Sequence, residues 1–146
     1  IDQPLILQQV ARVLKPGGRF VLWEVMPDTG PQQDAFSEQM QKKNEIAGYE
    51  SIVVDRYFTR GEQIPWLFEE AGFTDIKQIF EANCHQSTLG RRDSDLGGDR
   101  SKLDELNAFV RRCTPEGIRA EVDYKDEGDS ISMKVPNRIF RAVKPW

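Results

Sequence analysis

Within the first 26 residues a helix, a tight reversal and an apolar strand follow one another, and that order constrains the fold more than any other feature of the chain. Leu7, Val10, Ala11 and Leu14 fall at i, i+3, i+4 and i+7, the stripe of an amphipathic helix over Pro4 to Leu14. Lys15-Pro16-Gly17-Gly18 then forces a reversal, because proline presets φ and glycine accepts a positive one. Arg19 to Met26 is almost continuously apolar instead of alternating. That pattern predicts a strand covered on both faces, as in the parallel sheet of an α/β protein.

Downstream the pattern repeats more loosely. Gln32 to Ala47 reads as a polar helix with Phe36, Met40 and Ile46 as sparse apolar contacts, stopped by Gly48, and Ser51 to Phe58 reads as a loop. Thr59-Arg60-Gly61-Glu62 has the form of a capping box, followed by Ile64, Leu67, Phe68 and Ala71 on one helical side and a stop at Gly72. Asp75 to Cys84 suits a strand. His85 to Arg100, with Gly90, Gly97 and Gly98 among polar groups, has the composition of a flexible excursion. A helix capped by Ser101 is expected next, carrying Leu103, Leu106, Phe109 and Val110, and then two strand-like runs, Ser130 to Val135 and Ile139 to Val143, parted by Pro136-Asn137.

Composition excludes several classes of function. With 20 Lys and Arg against 24 Asp and Glu, the formal charge of −4 leaves no concentrated basic face for nucleic acid or an anionic membrane. No run approaches the about 18 apolar residues of a membrane span. Cys84 and Cys113, in no C-x-x-C spacing, are expected as buried thiols of a reducing, cytoplasmic compartment. Hydrophobic residues make up 38%, thin for a large core.

The string Leu7-Gln8-Gln9-Val10-Ala11-Arg12-Val13-Leu14-Lys15-Pro16-Gly17-Gly18-Arg19-Phe20-Val21-Leu22 resembles the segment leading into the fifth strand of class I S-adenosylmethionine-dependent methyltransferases. Tyr57-Phe58-Thr59-Arg60-Gly61-Glu62 through Leu67-Phe68-Glu69-Glu70-Ala71-Gly72-Phe73-Thr74 is similar to the helix and turn before the sixth strand of the same family. The resemblance implies an α/β, Rossmann-like sheet comprising strands 5 to 7 with flanking helices, the carboxyl-terminal portion of a methyltransferase domain over residues 1–146. It also implies methyl transfer from S-adenosylmethionine to a small-molecule acceptor. The family's cofactor-binding half, a strand, a glycine-rich loop and a helix, has no counterpart here. Gly17-Gly18 and Gly97-Gly98 lack the preceding strand and following helix of such a loop. Such a half-sheet leaves an apolar edge, so the chain is expected to be a piece of a longer enzyme, or to complete its sheet with a second copy or another chain. The alternative function is a non-catalytic dimerisation or partner-binding module.

Sites in open α/β sheets lie outside the carboxyl ends of the strands, which draws attention to Trp23, Glu24, Val25 and Met26. Glu24 interrupts the apolar run and suits a substrate hydrogen bond or a general base; equally, it suits a carboxylate paired with a nearby arginine. Trp23 and Met26 are candidates for a substrate-facing wall, with core packing as the plainer role. His85, the single histidine, follows the second strand and is the other candidate base, against the ordinary surface histidine. By the resemblance, Arg56 and Tyr57 belong to a substrate lid; the alternative is packing at the helix start. Asp93, Asp95 and Asp99 lack the terminal glutamate and glycine placement of a calcium loop. Determinants of the acceptor are expected in residues 28–58 and 85–100.

Overall fold

The computed structural model describes residues 3–49 and 58–146. Three strands, β1 (Arg19–Val25), β2 (Thr74–Ser87) and β4 (Ile131–Val143), form one sheet in the order β1-β4-β2, with the two-residue β3 (Lys125–Asp126) on β4. Every pairing is antiparallel, so the last strand is inserted between the first two. The helices are α1 (Gln3–Val13), α2 (Gly30–Ala47), α3 (Ile64–Glu70), α4 (Thr88–Ser94), α5 (Arg100–Cys113) and α6 (Glu116–Arg119).

On one face Phe20 and Leu22 of β1 and Phe140 and Ala142 of β4 pack with Leu7 of α1, Ile64, Leu67 and Phe68 of α3, and Met26. Phe20, Phe68 and Phe73 form an aromatic trio with centroids 5.6–5.8 Å apart. Phe73 arrives there because Gly72 takes φ +88° and lets the Phe73 N–H reach back to the Phe68 carbonyl at 3.0 Å. The helix, turn and contact expected around Gly72 are thus present.

The opposite face departs from the expectation of a strand covered on both sides. Because side chains alternate across a strand, Val21 and Trp23 point away from α1 and α3, and they are 53% and 68% exposed, with Phe80 beyond them at 54%. The apolar run of β1 therefore reflects one packed face and one uncovered face.

Other boundaries shift for identifiable reasons. The turn at residues 61–63 is capped by Arg60, whose backbone N–H donates to Gln63 Oε1 at 2.9 Å; Thr59 instead donates its hydroxyl to Gln3 Oε1 at 2.7 Å. A Cβ on Gly61 would meet the Arg138 guanidinium at 2.7 Å, so any side chain there must displace Arg138. Asp99, not Ser101, caps α5, accepting from the N–H groups of Ser101 and Lys102. Residues 85–100 are no flexible excursion: β2 continues to Ser87, which caps α4. Pro136 does not divide β4 either. Its carbonyl accepts from Met26 N–H at 2.9 Å, and the Met26 carbonyl, which a Pro136 N–H would have faced, accepts from the Arg138 guanidinium at 2.7 Å instead. Cys84 is exposed on the edge strand β2, contrary to expectation, whereas burial pushes the Cys113 thiol up to about 11.

Candidate functional site

β2 and β4 run on past the carboxyl end of β1 as a two-stranded ribbon, with Cys84, His85, Gln86 and Ser87 opposite Val135, Lys134, Met133 and Ser132. Ile131, Met133 and Val135 form the apolar side of this ribbon and are buried. They belong to a second core with Phe36 of α2, Phe58, and Leu103, Leu106 and Val110 of α5. This core is not filled. A cavity of about 410 Å³ remains between the ribbon, α2, α4 and α5, walled by Phe36, Met40, Leu106, Met133 and Val135, with Val25 at the end of β1 on its floor. That volume lies within the usual range of small-molecule sites.

The mouth is polar. Asp95 at the end of α4 draws four groups together: Lys43 Nζ at 3.4 Å, Arg91 Nη1 at 3.3 Å, the Tyr49 hydroxyl at 3.2 Å and the Ser94 hydroxyl at 3.0 Å. Burial acts to raise the Asp95 carboxyl, but Ser94, Lys43, Tyr49 and Arg91 outweigh it and hold the pKa below the ordinary value. Arg91 also donates to Gln86 Oε1 at 3.2 Å, and Gln39 donates to Thr114 Oγ1 at 2.9 Å. Lys43, Arg91, Asp95, Gln86 and Gln39 all line the cavity.

The residues singled out from the sequence fall mostly outside this wall. Trp23 stands on the uncovered face, and Met26 is fully buried in the first core. Glu24 faces the first core beside Arg138, its partner in the register. The Arg138 guanidinium contacts the Met26 carbonyl at 2.7 Å, Asp28, and Glu81 at 3.5 Å. His85 is exposed, with Nε2 3.0 Å from Asp123 Oδ2; alternation along β2 turns it away from the cavity that its neighbour Gln86 lines. Glu24 and His85 are therefore not brought together. Arg56 and Tyr57 lie outside the described residues. Phe36, Gln39, Met40, Lys43 and Phe58, from residues 28–58, and Gln86, Arg91 and Asp95, from residues 85–100, line the cavity. Arg91 and Asp95 stand at i, i+4, a helical ion-pair spacing that was the available signal for α4.

Neither glycine pair has the setting of a strand, glycine-rich loop and helix. A Cβ on Gly17 would meet the Trp146 ring at 2.5 Å, so that turn is covered by Trp146, and Gly97-Gly98 joins α4 to α5 with no strand before it. Among the described residues no group of three or more His, Cys, Asp or Glu is arranged to hold a metal ion, and no helix is long and apolar enough to cross a membrane.

No protein-family model matches the sequence, and no curated protein does. Solved structures do. The YcgJ protein of Bacillus subtilis superposes on 99% of this chain and 58% of its own with a TM-score of 0.79 at 14% identity. A Bacillus halodurans protein, provisionally assigned as a methyltransferase, superposes on 98% of this chain and 63% of its own with a TM-score of 0.75 at 17% identity. The fold is methyltransferase-like. This methyltransferase-like fold is partial, since the chain spans less than two thirds of the length of either solved protein.

Proposed function

We propose that residues 1–146 are the carboxyl-terminal portion of a methyltransferase domain that transfers a methyl group from S-adenosylmethionine to a small-molecule acceptor. The observation that carries the reading is the cavity over the carboxyl end of β1 in a methyltransferase-like fold, the position where open α/β sheets hold their ligands. In this reading Phe36, Met40, Met133 and Val135 exclude water and fix the acceptor, and the polar mouth orients it. The donor is held by parts of the protein other than the described residues. Neither Glu24 nor His85 lines the cavity, so Glu24→Gln and His85→Gln are expected to keep kcat/KM within about threefold; a loss of 100-fold or more in either, on the order expected for a general base, restores it as one.

Equilibrium dialysis against S-adenosylhomocysteine tests where the donor binds. The 146-residue chain is expected to retain none, while the same chain joined to the rest of its domain retains it. Tight binding by the 146 residues alone overturns the assignment of the donor site elsewhere. A second reading is favoured by the uncovered apolar face of Val21, Trp23 and Phe80 and by the edge of β1, which no strand among the described residues pairs: a non-catalytic module that pairs with another copy or partner. A monodisperse dimer by light scattering, with no S-adenosylhomocysteine retained by the longer protein, supports that reading over the first.

A further inference from the structure

We propose that the cavity takes an amphipathic anion, an apolar ring body seated among Phe36, Met40, Leu106 and Met133 with its acidic group at the mouth against Arg91. The inference rests on the reading of this cavity as a ligand site and names the chemical class of the ligand.

Two observations carry it. The deep walls are apolar, and an apolar body of matching shape gains free energy by leaving water to fill such a space. The mouth, in contrast, has more donors than its carboxylate serves singly. Asp95 Oδ2 is shared between Arg91 and Ser94, while Oδ1 already receives Lys43 and Tyr49. Among the described residues the other partner of Arg91 is the neutral Gln86. The Arg91 guanidinium, about one third exposed at 35%, shares its carboxylate partner among the described residues with Lys43 and faces the cavity. A planar guanidinium is suited to accept a carboxylate, sulfonate or phosphate in a paired geometry. A neutral apolar ligand would fill the walls but leave this donor set unused.

Two naphthalene dyes of similar apolar body separate the contributions: 8-anilinonaphthalene-1-sulfonate, an anion, and N-phenyl-1-naphthylamine, which is neutral. Fluorescence titration of the full chain is expected to give one saturable site for each, with the anion bound more tightly. Arg91→Gln is expected to weaken the anion about tenfold and the neutral dye less than about twofold; Asp95→Asn is expected to strengthen the anion, since it removes the competing charge. Met40→Trp, at a half-buried wall position where circular dichroism checks folding, is expected to abolish both. Equal loss of both dyes in Arg91→Gln, or no loss of either, overturns the anion assignment. Full binding in Met40→Trp also overturns it, because the dye then sits elsewhere, such as on the face of Val21 and Trp23. Failure of the methyl-transfer reading is distinguishable: the dyes would bind as expected while the longer protein transfers no methyl group.

Discussion

The two cores of this molecule are built from residues of similar kind and end in opposite states. Around α1 and α3, Phe68 and Ala142 are completely buried and the Phe20, Phe68 and Phe73 rings close on one another. Between α2, α4 and α5, Leu103 and Val110 are as deeply buried, yet about 410 Å³ stays open, and charged groups gather at its mouth. Filled interiors are the default of folded proteins, so the open space beside the ion cluster is what the proposed function assigns to a ligand. The first core is scaffold, and in the proposed reading the second is also the wall of a site.

The contrast is most sharply broken by truncating each core. Phe68→Ala is expected to cost about 3–5 kcal/mol in urea unfolding, because its neighbours cannot collapse into the hole. Leu106→Ala, whose side chain already borders open space, is expected to cost about 2–3 kcal/mol, the lower end of its class. Equal costs would remove the distinction. A smaller effect is expected at the start of α2, where the Thr29 hydroxyl accepts from Gln32 N–H at 3.3 Å: Thr29→Ala is expected to lower stability by about 1 kcal/mol in the same assay.

Acid sharpens the comparison at the mouth of the cavity. The Asp95 carboxyl is held below its ordinary value in the folded chain, so its contribution is fully present above the unfolded value of about 3.9 and is lost as the pH falls through the lower folded value. The urea midpoint is expected to drop between pH 5 and pH 3 more in the natural chain than in Asp95→Asn; parallel curves would detach the ion cluster from stability. The smallest effect belongs to the uncovered face. Trp23→Ser is expected to change the stability of the chain by less than about 0.5 kcal/mol.

The scaffold was legible in the sequence because its signals are local. The stripe of Leu7 to Leu14, the Pro16-Gly17-Gly18 reversal and the Gly72-Phe73 stop each act within a few residues and agree with the final packing. The site was not legible residue by residue. Lys43 is one lysine in a polar helix, and only the fold sets it 3.4 Å from Asp95, which is 52 positions away in sequence. Glu24 and His85 stood out by rarity and by position at strand ends, but the period of two turns each away from the cavity that Val25 and Gln86 line. Pro136 misled for the opposite reason: a proline inside a central strand is tolerated here because Arg138 gives the Met26 carbonyl the donor that proline lacks.

The most direct test of the central claim is methyl transfer from tritiated S-adenosylmethionine to a small-molecule acceptor library by the chain joined to the rest of its domain, with and without Met133→Trp. The account expects the substitution, which fills the cavity over β1, to abolish transfer while S-adenosylhomocysteine is still retained. Undiminished transfer by the variant would contradict it, since the acceptor would then occupy some other site.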